Sequence, residues 1–331
     1  MALVLYRKYR PQNFSEVIGQ EHVVQTLKNA LQKGLISHAY LFSGPRGSGK
    51  TTIARLLAKA VNCLELKGSE PCNSCDICKE INGGRFLDLI EIDAASHRGI
   101  DEIRELREGI KFAPSRGKYK VFVIDECHQL TKEASNALLK TLEEPPSHAI
   151  FILATTEIHK MIPTIISRCQ RFDFRKLTIE EIIKRLEILS QKEKVEVEKP
   201  ALELIALNSG GSFRDAESLL DQVLTFSGAG KGQIKAEDIK ELLGLVEVRL
   251  VSEFTDFLSQ KKADKAVIFL NELADKGFDL QEFAKALINY LRQALIMKII
   301  GPKEANPIIT GLTKEELEKL CQQAESFQEA E

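Results

Sequence analysis

A parallel α/β sheet domain followed by helices alone is the fold class this sequence predicts, on three observations. Apolar runs at Ala39–Phe42, Lys120–Ile124 and Ala149–Thr156 alternate with amphipathic segments as far as about Lys176, as strands covered by helices on both faces do. Between the first run and an apolar-periodic segment, Ile53 to Val61, the stretch Gly44-Pro45-Arg46-Gly47-Ser48-Gly49-Lys50-Thr51-Thr52 fits the pattern G-x-x-x-x-G-K-[ST]. From Thr178 onward only helical periodicity remains. The expected domains are 1–177 with the phosphate loop, 178–243 as a small helical lid, and 244–331 as a last helical domain.

Taken in order, Tyr6-Arg7-Lys8-Tyr9-Arg10-Pro11 is a basic, aromatic-laced lead, and a helix is expected from Glu21 to Gln32. Alone, the lead is a solvated arm. Set ahead of a nucleotide site it can fold over a purine, with Val17 and Ile18 as an apolar slot. In the loop, Gly44, Gly47 and Gly49 let the backbone curl so that its N–H groups face phosphate oxygens, and the following helix adds its positive end. Lys50 is placed to reach the β- and γ-phosphates, and Thr51 to put its hydroxyl on Mg²⁺. The residue types therefore point to a nucleoside triphosphate.

Cys63, Cys72, Cys75 and Cys78 follow, with spacing and intervening Gly68, Pro71 and Asn73 that let four thiolates converge on one tetrahedral Zn²⁺. An iron–sulfur cluster is the competing reading, but Lys79-Glu80 stand where the ferredoxin run has a further cysteine and a proline. A redox Cys-x-x-Cys fits four cysteines less well. With every position taken by a thiolate, the role is structural (63–78 forming an inserted zinc module).

Phe86 to Ile92 reads as a strand and Asp101 to Lys111 as a helix. Lys120 to His128 is an apolar strand ending in Asp125 and Glu126. Beside a phosphate loop such a pair divides its labour: Asp125 holds the Mg²⁺ shell and Glu126 polarises the attacking water. Thr131 to Glu144 is an amphipathic helix stopped by Pro145-Pro146, and the next strand ends in Thr155-Thr156, whose hydroxyls could meet the γ-phosphate or the water. Pro163 to Cys169 is a short helical piece, and Gln170 to Phe174 a last strand. Thr178-x-x-Glu181 is a capping box, and Ser212-x-x-Asp215 caps a helix carrying Arg214. Leu280, Phe283, Ala284, Leu287, Ile288, Leu291 and Leu295 make a stripe wider than a two-stranded seam.

The chain has 331 residues, 44% apolar, enough for a sizeable core. A net charge of -2 offers no global attraction to nucleic acid, so contact with a polyanion needs a local patch. Arg98, Arg104 and Lys140 are candidates, against the ordinary reading of surface charge as solvated. No apolar run reaches the ~18 residues of a membrane span, and the short, early-basic start is not a signal peptide, so a cytoplasmic protein is expected.

The phosphate loop, Asp125-Glu126, the Thr-Thr strand end, Ser167-Arg168-Cys169 and Gly211-Ser212-Phe213-Arg214-Asp215, in that order, resemble ATPases of the AAA+ superfamily. The Ser-Arg-Cys triplet and the four-cysteine insertion narrow the resemblance to bacterial DNA polymerase III clamp loader subunits of the gamma/tau kind, over nearly the whole chain. The resemblance implies that ATP and Mg²⁺ are bound and ATP hydrolysed. Arg168 would be an arginine finger reaching a neighbouring subunit's γ-phosphate, Arg214 a second sensor from the lid, and Thr156 the first sensor, where an asparagine is more usual. It further implies a collar from 244–331 that assembles a hetero-pentamer, and a sliding clamp and primer–template DNA as partners. Polymerase and helicase would bind through a tail absent here, the chain being expected to continue past Glu331. A helicase is the nearest enzymatic rival, since Asp125-Glu126-Cys127-His128 matches an Asp-Glu-x-His box, but neither a second motor domain nor an arginine-rich helicase motif follows. A non-hydrolysing scaffold subunit is the other rival, and it would be expected to lack part of the loop or Glu126.

Overall fold

Strands apolar at every position need cover on both faces, and their burial sorts them across the sheet. β1 (Ala39–Ser43) and β4 (Ala149–Thr155) are buried throughout and lie inside, whereas β2 (Leu89–Asp93) and β5 (Gln170–Asp173) are partly exposed and form the edges. With β3 (Lys120–Asp125) they make one sheet in the order β2-β3-β4-β1-β5, every pairing parallel. Charged Arg171 and Asp173 on β5 blunt that edge against further pairing. This computed structural model describes residues 4–96, 108–227, 233–244, 247–301, 309 and 314–327.

Period-two alternation sends neighbouring side chains to opposite faces. On one face Tyr40, Phe42, Val121, Val123, Ile150 and Ile152 pack against Val23 and Leu27 of α2 (Glu21–Lys33) and Ile53, Leu56 and Leu57 of α3 (Lys50–Asn62). On the other, Leu41, Phe122, Ile124, Phe151 and Leu153 meet Leu138 and Leu142 of α5 (Lys132–Glu143) and Ile165 of α6 (Pro163–Ile166). A short α1 (Leu5–Lys8) precedes these elements, and α4 (Asp76–Asn82) closes the cysteine module. Each fully buried Leu or Phe contributes about 2 kcal/mol, so the two layers hold the sheet rigid and fix the carboxyl ends of β1, β3 and β4 side by side.

The strand expected at Phe86 begins only at Leu89, because Asp88 is engaged elsewhere. Its buried carboxylate accepts the amides of Ser115, Arg116 and Gly117 at 2.7 to 2.8 Å, tying the loop before β3 to the start of β2. Burial alone would raise its pKa, but these amides outweigh burial and hold it below the usual carboxylate range. A carboxyl depressed on folding stabilises above its unfolded pKa, about 3.9, and loses that contribution as pH falls through the lower folded value. Asp88→Asn is therefore expected to cost about 2 kcal/mol at pH 7 and to flatten the fall in stability as pH drops below about 4; urea midpoints against pH measure both.

The chain forms two compact units, 1–234 and 235–331. Within the first lie α7 (Ile179–Glu193), α8 (Lys199–Asn208) and α9 (Phe213–Ser227). Both bonds of the Thr178/Glu181 capping box form, and Ser212 Oγ accepts the Asp215 amide. The second unit holds α10 (Ala236–Leu243), α11 (Val248–Ser259), α12 (Ala263–Asp275), α13 (Leu280–Ile300) and α14 (Lys314–Ser326). There α13 buries Phe283, Tyr290, Ala294 and Met297 against Val251, Phe254 and Leu320. The wide stripe read along α13 is thus only partly core: Leu280, Ile288 and Leu295 are exposed, because one helix face fills the space between α11 and α14. Among the described residues no helix is long and apolar enough to cross a membrane.

Candidate functional site

The loop between β1 and α3 is shaped by glycines where nothing else fits. Gly47 and Gly49 have φ of 73° and 100°, the left-handed region that side chains resist. A Cβ on Gly47 would also lie 1.8 Å from Ser212 Oγ, and one on Gly44 2.3 Å from the Phe174 carbonyl. The Phe213 amide donates to the Gly47 carbonyl at 3.2 Å, so the first turn of α9 rests directly on the loop. Ser48 closes the loop through Oγ to the Pro45 carbonyl at 2.8 Å, while Arg46 stays exposed. Lys50 opens α3, earlier than the apolar periodicity indicated, because Gly49 turns the chain into the helix. Its buried Nζ donates to the carbonyls of Gly44 and Pro45 at 2.8 and 2.9 Å. Burial lowers the Lys50 pKa against the opposing pull of Glu126 and Asp125.

Parallel register carries the ends of β3 and β4 to the same level, with Ile124 opposite Leu153. Thr51 Oγ1 donates to Asp125 Oδ2 at 2.8 Å, so hydroxyl and carboxylate converge on one spot beside the loop, the donor set of a hard divalent cation. Glu126 follows in a left-handed conformation, φ 48°, its amide donating to Asp125 Oδ1 at 3.0 Å. For a non-glycine residue this costs about 1 kcal/mol, and it aims the carboxylate off the strand axis. Thr156 Oγ1 donates to Glu126 Oε2 at 2.9 Å, which joins two residues picked out separately in the sequence.

The N-terminal lead lies on the lid. Arg214 stacks on the Tyr6 ring, 5.0 Å from its centroid, with Arg7 on the same ring at 5.7 Å. Below them Arg185 of α7 pairs with Glu217 of α9 at 2.7 Å, both nearly buried, and donates to the Tyr9 carbonyl at 2.6 Å. Val17 packs on the core beside α2, with Ile18 half-buried next to it. Two further polar residues went unread in the sequence. Gln20, buried, donates to the carbonyls of Ser48 and Arg175, bracing the loop against the segment after β5, and Arg10 is half-buried, its Nη1 enclosed without a hydrogen-bond partner among the described residues. A lone glutamine has no local signal, and Arg10 had only the charge of its run.

Arg168 turns outward. It donates to the Thr164 carbonyl and pairs with Glu143 at 2.7 Å, with a third of its side chain exposed. Lys140 is exposed on α5; Arg98 and Arg104 lie outside the described residues.

The four cysteines meet. Their sulfurs all lie within 4.8 Å of one another, with Cys78 Sγ 3.7 Å from Cys63 Sγ and 3.9 Å from Cys72 Sγ. A tetrahedral tetrathiolate with bonds of about 2.3 Å has sulfur–sulfur edges of about 3.8 Å, so the spacing suits a metal, while a disulfide needs about 2.05 Å. Amides of Cys72 and Cys75 donate to Cys63 and Cys72 sulfurs at 3.3 Å, as thiolates require. Hydrogen bonds from the Ser74 hydroxyl and the Cys75 amide lower Cys72 to about 5, whereas burial raises Cys63 and Cys78. The module is stapled to the lead: Glu70 accepts the amides of Phe14 and Ser15, and buried Lys59 donates to Gln12, Asn73 and Asn82.

Comparison with known proteins covers the same ground. Residues 19–178 match the family described as DNA polymerase III, delta subunit; 181–229 the ATPase lid domain of DNA polymerase III clamp loader subunits; and 234–329 domain III of DNA polymerase III subunits gamma and tau. DNA polymerase III subunit tau of Bacillus subtilis is 51% identical over 294 residues, 89% of this chain and 52% of that protein. Subunit gamma of Buchnera aphidicola is 40% identical over 319 residues, 96% of this chain and 87% of that protein. The chain spans about half the length of the tau relatives it matches (52% and 46%). The solved Thermotoga maritima RuvB Holliday junction branch migration motor shares the fold, with a TM-score of 0.53 at 20% identity over 75% of this chain and 78% of that one.

Proposed function

Because the chain belongs to the family of DNA polymerase III gamma and tau subunits of the clamp loader, we propose that it is an ATP-hydrolysing motor subunit that opens a sliding clamp and loads it on primer–template DNA. The observation that carries this reading is the 2.8 Å bond between Thr51 of the loop and Asp125 at the end of β3, with Glu126 and Thr156 joined beside it. A scaffold that had lost hydrolysis would have no need of that assembly.

In this reading the loop amides from Arg46 to Thr52 cradle the triphosphate and Lys50 exchanges its loop carbonyls for the β- and γ-phosphate oxygens. Thr51 and Asp125 would hold Mg²⁺, which when bound neutralises charge on those oxygens. Glu126 accepts a proton from the attacking water, and Thr156 orients Glu126. Tyr6, Arg7, Val17 and Ile18 flank the base, and Arg214 leaves the Tyr6 ring to meet the chain's own nucleotide. Arg168 completes a neighbouring subunit's site. Residues Cys63, Cys72, Cys75 and Cys78 would hold Zn²⁺ as a structural ion. Residues 244–331 would form the collar of the hetero-pentamer.

Steady-state ATP turnover by the chain assembled with its companions, with and without clamp and primer–template, tests the reading. Stimulation requiring both, lost in Glu126→Gln, is expected; turnover indifferent to the clamp but coupled to strand separation would overturn it in favour of a helicase. Lys50→Ala should weaken ATP binding at least 100-fold, and unchanged affinity would remove the phosphate-loop assignment.

A further inference from the structure

Beside Glu126 lies a residue that the roles above leave unused. The His128 side chain is 3% exposed, and both ring nitrogens face carboxylates: Nδ1 is 3.4 Å from Glu126 Oε2, and Nε2 is 3.1 Å from Glu157 Oε2. Nδ1 also lies 3.0 Å from Thr155 Oγ1, which accepts the Glu157 amide at 3.0 Å, and the Gln129 side-chain nitrogen lies 3.1 Å from Nε2. Glu157 is held in turn by Lys160 at 2.8 Å. The left-handed turn at Glu126 and the 3₁₀ turn Cys127–Gln129 fold the imidazole back beneath the carboxylate two residues before it.

We propose that His128, seated on Glu157, is a positioning residue for Glu126. The inference rests on reading Glu126 as the base that activates water. A glutamate has several rotamers, and a base serves only in those that reach the water. Thr156 holds Oε2 from one side and the His128 ring closes the other side of the same oxygen, leaving Oε1 without a hydrogen bond among the described residues and free to take the proton. The ring's hydrogen-bond contacts are Thr155 Oγ1 at Nδ1 and the Gln129 side chain at Nε2, with the Glu126 and Glu157 carboxylates within ion-pair distance of Nδ1 and Nε2. Together these groups fix the plane of the ring and hold it against Glu126. His128 touches no reacting atom, so its effect must pass through Glu126.

The test is single-turnover and steady-state hydrolysis, with nucleotide affinity and melting temperature, on the full-length chain in its assembled complex. His128→Ala is expected to lower kcat about 10- to 100-fold while ATP affinity stays within about twofold and melting is unchanged. His128→Asn, which keeps an N–H donor near the Nδ1 position, should recover at least about threefold. Glu157→Ala should lower kcat less, and should add nothing to His128→Ala. In a Glu126→Gln background His128→Ala should cost nothing further, since residues acting through one another are not additive. Wild-type kcat in His128→Ala, losses that multiply with those of Glu126→Gln, or a parallel fall in ATP affinity and melting temperature would each overturn the positioning role. Wild-type turnover in Glu126→Gln alone would instead overturn the base assignment on which it rests.

Discussion

Arg168→Ala is expected to leave ATP affinity within about twofold and to slow hydrolysis by the assembled complex about 10³-fold, the range of an arginine finger supplied by a neighbour. In this chain the guanidinium is held by the Thr164 carbonyl and the Glu143 carboxylate, and no hydrogen bond or ion pair joins it to Lys50 or Thr51 among the described residues. Read as an intersubunit finger, Arg168 would serve a nucleotide presented by a docked neighbour rather than its own. The Glu143 pair is exposed and worth at most about 1 kcal/mol, so the variant should fold and assemble normally. Mixed assemblies make the check sharper: a single Arg168→Ala subunit should silence the site of its neighbour and spare its own. Wild-type turnover, or loss confined to the variant's own site, would show that Arg168 does not act between subunits.

Stripping metal from the cysteine module is expected to have the largest effect on stability. Structural zinc contributes about 10–16 kcal/mol in isolated finger peptides, and even a third of that would lower the melting temperature by about 5 to 8 °C in a chain of this size. Cys72→Ser with Cys78→Ser should abolish binding of the one zinc expected per chain by elemental analysis. The damage should also spread, because Glu70 and Lys59 tie the module to Gln12, Phe14 and Ser15. Hydrogen exchange should rise at the Phe14 and Ser15 amides together with 63–82. Unchanged melting after chelation, with no zinc in the native protein, would leave the cluster as four packed thiols.

Much of this protein was legible because its signals are local. Strands apolar at every position proved to be the buried, inner ones. The phosphate loop could be read residue by residue, since Gly47 and Gly49 are demanded by backbone geometry inside a nine-residue window. The cysteines likewise announced themselves by spacing, and their sulfurs converge. Less was legible where a residue has two faces to choose from: the α13 stripe held core and exposed positions alike, because hydrophobicity records that a side chain is apolar and not what lies opposite.

By itself, then, the sequence determined the strand and helix order, the loop, the acidic pair and the thiol cluster, all of which arise from period, φ preference or short spacing. Tertiary structure alone decided several meetings between charged and polar groups far apart in the chain. Gln20 reaches a carbonyl 155 positions away, Arg185 pairs with Glu217 across two helices, and His128 lies between glutamates contributed by two strand ends. Such pairs form because parallel register and helix packing bring distant positions together, and a hydrogen bond depends on that final separation in space rather than on any pattern along the chain.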